Sequence, residues 1–180
     1  MARIPYAENN DDPEFVALRD RIVKERGGRL LNLYKMLLNS PPVAAGWLNL
    51  LTAIRQQASL SGKVRELAIL RIALINGAPY EHAAHVPFAL KEGASQAEID
   101  ALDDWETAGI YKPRDRAVLA YTDAMTKTIQ VPDAVFAEVS RFFNPREMTE
   151  LTATIAAYNL VSRFLVALQV DHEEEPHRAD

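Results

Sequence analysis

The sequence predicts an all-α fold. Apolar residues recur at helical spacing along most of the chain, and helix caps and first-turn prolines punctuate it at short intervals. No stretch sustains period-two alternation bounded by turn signals. The expectation is a single domain of about eight or nine helices over residues 12–170, with a flexible N-terminus over 1–11 and an acidic, disordered tail over 171–180.

The elements follow from local chemistry. Asp12-Pro13 reads as an N-cap followed by a residue that needs no N–H in the first turn. Phe15, Leu18, Ile22 and Val23 then form a helical stripe, which Gly27-Gly28 stops. Leu30 to Leu38 reads as a short helix ended by Ser40-Pro41-Pro42, and Val43 to Gln57 as another, with Trp47, Leu50, Leu51 and Ile54 on one face. Ser61 can cap a helix that runs to Asn76. Asn76-Gly77-Ala78-Pro79 breaks the chain, because the residue before a proline avoids the helical region. A helix from Pro79 to about Glu92 contains Pro87, which is expected to kink it. Ser95 to Glu98 is a capping box, opening a helix to about Thr107. Pro113, Pro132 and Asn144-Pro145 open the last three, and the final one runs to about Val170. Helices 64–76 and 147–170 are the most apolar, and so the candidates for the centre.

Composition excludes several functions. The 180 residues are 48% hydrophobic, enough for one buried core. Much of the net charge of −5 sits in the tail DHEEEPHRAD. Without it, 19 basic residues face 20 acidic ones, so no nucleic-acid partner is expected. The absence of cysteine rules out disulfides, thiolate metal sites and a cysteine nucleophile. The segment MARIPYAENNDDPE has no apolar leader, and charges break the apolar runs before about 18 residues. The expectation is a cytoplasmic chain with no membrane partner. No phosphate-binding glycine loop or nucleophile elbow is present.

The residues able to do chemistry cluster in 65–93. Glu66 begins a run that is otherwise apolar apart from Arg71, which lies roughly 140° away around the helix. A buried Glu66 therefore needs a partner from elsewhere. Glu81 and His85 are four apart and share a helix face, and His82 and His85 are three apart. A carboxylate that accepts from a histidine fixes its tautomer and raises its proton affinity, which suits proton transfer near neutral pH. Tyr80 adds a phenol at the same helix end. Each residue alone also has a plain reading: a packed histidine, or a first-turn acid favoured by the helix dipole. Glu66, Glu81, His82 and His85 could be read as metal ligands, but two histidines three apart are a poorer pair than two four apart, and no metal is expected. In the last helix Tyr158, Asn159, Ser162 and Arg163 form a polar patch. This is either a helix–helix hydrogen bond beside a surface arginine, or an arginine fork for a carboxylate. His172 and His177 fall in the acidic tail and are expected to be solvated.

Arg65-Glu66-Leu67, Tyr80-Glu81-x-x-x-His85-Val86, Gly93 and Ser95 to Glu98 resemble the carboxymuconolactone decarboxylase family, relatives of the alkylhydroperoxidase D proteins. Pro41-Pro42 with Trp47, and Tyr158-Asn159-Leu160-Val161-x-Arg163, extend the likeness over roughly residues 40–170. The resemblance implies an alkylhydroperoxidase D-like helical bundle that forms homo-oligomers (dimers, trimers or hexamers). The peroxidase branch carries Cys-x-x-Cys where this chain has Ala78 and Glu81, so thiol peroxidase chemistry is not expected. The decarboxylase branch, with a Glu four before the His, is the better match, although many relatives have Trp where this chain has His82.

The implied activity is a lyase acting on a small lactone acid from aromatic breakdown. It needs no cofactor, because the substrate carries its own electron sink. The implied roles are His85 as proton donor held by Glu81, and Glu66 as orienting or shuttling group. Tyr80 or His82 would be the donor to the carbonyl, and Arg71 or Arg163 the partner of the substrate carboxylate. A non-catalytic binding or scaffold protein of the same fold is the alternative, and a metal-dependent oxygenase or hydrolase a further one.

Overall fold

Five helices begin at a proline, where a fixed φ and a missing N–H suit the first turn. The computed structural model describes residues 1–7 and 10–173. Among these residues the chain is all-α, with nine α-helices. They are α1 (Pro13–Glu25), α2 (Asn32–Leu37), α3 (Pro41–Thr52), α4 (Gly62–Ile75), α5 (Pro79–Lys91), α6 (Gln96–Asp100), α7 (Pro113–Lys127), α8 (Asp133–Ser140) and α9 (Pro145–Leu168). One π-helical turn, Ala53–Gln57, continues α3. The helices fall into two compact units, one of residues 1–55 with the chain from 167 onward, the other of residues 56–166.

In the first unit α1 and α2 pack on α3, burying Ile22, Met36, Leu37 and Leu48. Arg26 donates to the Tyr34 hydroxyl at 2.7 Å and to Thr52 Oγ1 at 3.0 Å. The chain after α9 is held within this unit. Asp171 accepts from the Ala2 amide and the Tyr6 hydroxyl, and Glu173 from the Asn32 amide. His172 is exposed. The rest of the expected tail, 174–180 with His177, and part of the expected N-terminal segment, residues 8 and 9, lie outside the described residues.

The second unit is built on α4, buried at every position from Val64 to Ala73, with α5 and α7 against it. A helix apolar on all sides must be covered on all sides, so its charged residues must meet partners inside the protein. Leu67, Leu70, Ala89, Leu102, Trp105 and Leu119 form one cluster in this core. α9 contributes Leu151, Ile155, Tyr158 and Ser162. By length and composition α9 is a candidate to cross a membrane, contrary to the expectation from interrupted runs, although half of its most apolar window is buried in the protein.

Two boundaries differ from the expectations. Pro41 and Pro42 open α3 rather than ending the segment before it. The helix capped by Ser95 stops at Asp100 rather than near Thr107. Its capping box is present, but carbonyls beyond it are claimed by arginines. Arg71 donates to Leu102 O at 3.0 Å, and Arg116 donates to the carbonyls of Trp105, Glu106 and Ala108. A carbonyl held by a guanidinium has less need of a helical N–H, so the segment settles into turns.

Candidate active site

A three-residue connection joins α4 to α5. Gly77 has φ +59°, a conformation glycine adopts without a Cβ penalty, and Ala78 N donates back to Ala73 O at 2.8 Å. Pro79 then starts α5, which packs on α4. Pro87 lies inside α5 as expected.

Glu66, Glu81 and His85 come together in this pair of helices. His85 Nδ1 lies 2.6 Å from Glu66 Oε2, and its Nε2 lies 3.0 Å from Glu81 Oε1. All three residues are buried, with exposures of 1% for Glu66 and 4% for Glu81 and His85, so bulk water does little to screen the group. The other oxygen of Glu66, Oε1, accepts from Arg65 Nε at 3.0 Å. The Tyr158 ring stands edge-on to the imidazole, 5.1 Å between centroids, and Phe88 tilts against it at 5.7 Å.

Burial penalises every charge here, and the partners outweigh it. For His85, burial lowers proton affinity, but the charge of Glu81 and the contacts to both carboxylates raise it above the ordinary value. For Glu66, burial raises the carboxyl, while His85 and then Arg65 bring it below its usual range. An ionised Glu66 only accepts, so the Nδ1 facing it carries a proton. The other ring nitrogen, Nε2, faces Glu81.

The other sequence candidates are placed differently. Tyr80 is buried in the first turn of α5, and His82, next to Glu81, is half-buried. Arg71 is committed elsewhere. It reaches both oxygens of Asp123 on α7 at 2.7 and 2.8 Å, because the face opposite Glu66 packs on α7. Arg163 is exposed on α9, while Asn159 is buried and bonds to Thr126 and Asn76. This patch is a helix–helix hydrogen bond beside a surface arginine. Arg65 was given no role by the sequence reading. Adjacent helical residues normally diverge; its signals were a second charge at the mouth of an apolar helix and its place in the Arg65-Glu66-Leu67 stretch that carries the family likeness.

No group of three or more His, Cys, Asp or Glu among the described residues is arranged to hold a metal ion. An apolar groove of about 790 Å³ lies between α8 and α9, lined by residues including Phe136, Phe143 and Met148. None of the candidate residues lines it.

A model of the carboxymuconolactone decarboxylase family matches residues 41–124, which include Glu66, Glu81 and His85. YdfG, an uncharacterized protein of Bacillus subtilis (strain 168), is 25% identical over 115 residues, covering 63% of this chain and 78% of YdfG. A solved protein of unknown function from Agrobacterium tumefaciens, provisionally an antioxidant defence protein AhpD, is 27% identical with a TM-score of 0.71, covering 76% of this chain and 94% of that one. The apo debrominase Bmp8 shares the fold at a TM-score of 0.77 and 18% identity, over 93% of this chain and 90% of its own. Residues 41–124 of this cysteine-free chain thus match the carboxymuconolactone decarboxylase family, and the all-α fold is alkylhydroperoxidase D-like.

Proposed function

We propose that the chain is a cofactor-free acid–base enzyme, a lyase or related proton-transfer catalyst, acting on a small carboxylated lactone. One observation carries the reading: a buried imidazole with a carboxylate on each ring nitrogen, at 2.6 and 3.0 Å. A core histidine packed for stability needs both ring nitrogens met, but neutral carbonyls or hydroxyls suffice for that. One flanked on both sides by carboxylates forms a line along which a proton can move. Both oxygens of Glu66 and both nitrogens of His85 are engaged. Glu81 meets His85 through one oxygen only, so Glu81 is the end of the line that faces substrate.

In decarboxylation the bond to the carboxylate carbon breaks and its electron pair enters the conjugated lactone carbonyl. Carbon dioxide leaves, and the enolate takes a proton at carbon. Glu81 supplies that proton and is reprotonated from His85 Nε2, while ionised Glu66 stabilises the imidazolium. His85 recovers its proton from solvent once product leaves. Tyr80 and His82, in the same turn of α5 as Glu81, are the nearest donors in sequence for the enolate oxygen. The family match supports a lactone acid as the substrate class. The debrominase neighbour supports the fold.

Glu81→Gln keeps shape and removes the titratable oxygen. It should lower kcat on a carboxylated unsaturated lactone by about 10²–10⁴-fold, the usual range for a general acid–base group. His85→Ala should do the same, with the helical circular dichroism retained in both. Turnover within a few-fold of wild type in either variant would sink the proposal and favour a binding or scaffold protein that keeps the frame without the chemistry.

A further inference from the structure

The proton line contains one buried ion to which the mechanism gives no step. Arg65 is 9% exposed, in the first turns of α4, and a guanidinium out of water is costly unless its partners compensate. Its Nε lies 3.0 Å from Glu66 Oε1, and its Nη2 lies 3.5 Å from Glu92 Oε1, beyond the last turn of α5. Neighbouring residues on a helix point about 100° apart. The two side chains therefore bend toward each other to meet, which a merely solvated arginine has no reason to do.

The result is an asymmetry between the carboxylates on His85. Glu66 is held by a cation on each oxygen, whereas among the described residues Glu81 has only His85 as its ion-pair partner. Two equal carboxylates would let the imidazole give up either proton. Two unequal ones decide which. We propose that Arg65 is a positioning residue that sets the direction of the relay, fixing Glu66 as a permanent anion so that Nδ1 keeps its proton and Nε2 gives its proton toward Glu81. The proposal rests on the proton-relay reading of this site.

The charged and titratable groups that face His85 are consistent with this assignment. Glu66 with Arg65 behind it comes from α4, Glu81 from α5 itself, and the Tyr158 ring from α9. Glu92, 41% exposed, faces Arg65 rather than the imidazole and holds the far side of the guanidinium. Arg65 is the one lysine or arginine among the described residues in ion-pair contact with Glu66.

The test reads the tautomer directly. Ring-15N-labelled histidine protein is titrated by NMR, and His85 is assigned by removing His82, His172 and His177 one at a time. In wild type, neutral His85 should be the Nδ1–H form, with only Nε2 moving to the unprotonated position. Arg65→Gln should shift the tautomer ratio toward Nε2–H by about tenfold or more, the equivalent of one pK unit. Arg65→Lys, which keeps the charge but loses the fork, should shift it less. A wild-type protein that is a tautomer mixture overturns the proposal, as does an Arg65→Gln protein that keeps the wild-type ratio. Should Arg65→Gln not fold, Arg65→Lys decides: a measurable shift supports the role and an unchanged ratio overturns it. The readout is independent of turnover. An Nδ1–H lock that depends on Arg65, together with full activity in Glu81→Gln, would leave this assignment standing and remove the lyase reading. Loss of turnover with an Arg65-independent tautomer would do the reverse.

Discussion

Asp123→Ala should lower stability by about 3–5 kcal/mol, the usual loss on breaking a buried ion pair from one side. The measurement is the urea midpoint at unchanged slope. Asp123 accepts from Arg71 Nε and Nη2, from Trp105 Nε1 at 3.2 Å and from Lys127 Nζ at 2.7 Å. Burial acts to raise its carboxyl, but Arg71 and then Lys127 hold it below the usual range, so it stays charged. Removing it strands the guanidinium between α4 and α7, with only the carbonyls near Leu102 and the exposed Asp103 to meet it. Arg71→Met combined with Asp123→Leu removes both charges and should recover most of the loss, because the penalty comes from the orphaned partner. A single-variant loss below about 1 kcal/mol, the scale of a surface pair, would show that water reaches this site.

The second large effect is at His85. His85→Ala leaves two carboxylates facing a void, and near pH 6 should cost about 3–5 kcal/mol by the same logic. The pH dependence identifies the cause. The folded value of His85 lies above its ordinary 6.5, so the folded state binds this proton more tightly than the unfolded state does. That contribution is complete below 6.5 and is lost as pH rises through the folded value. Glu66 runs the other way. Its folded value lies below the ordinary 4.5, so its contribution is present above 4.5 and is lost as pH falls through the folded value. The pair is therefore fully formed between 4.5 and 6.5. Urea unfolding from about pH 5 to about pH 9 should show wild type losing stability on the alkaline side, with a flatter limb in His85→Ala. Parallel limbs would mean that His85 is neutral in the folded protein.

The fold was legible where its signals are local. Asp12-Pro13, Ser95 with Glu98, and Asn144-Pro145 with Glu147 act within one turn, and each starts a helix in the structure. The early end of α6 was not legible, because it depends on Arg71 and Arg116 taking carbonyls from outside that helix. The meeting of Glu66 with His85 could be anticipated because a short proline break forces α5 back onto α4. Arg71 was offered to a substrate because its true partner lies 52 residues away on another helix. Arg65 was overlooked for the opposite reason: its partner is its own neighbour, which helical geometry ordinarily turns away.

Arg65, Glu66, His85 and Glu81 are four ionisable groups enclosed together. Dissolved ions act on charge they can approach, over a Debye length of about 8 Å at physiological ionic strength, and screen buried pairs far less. An enclosed group whose charges are met by partners inside the protein leaves the electrolyte little to act on. Concentrated salt dissolves a rim contact such as Arg141 with Glu138, at 71% and 48% exposure, and leaves the centre's proton inventory as it was. The fold, rather than the medium, sets the acidity at which this centre works.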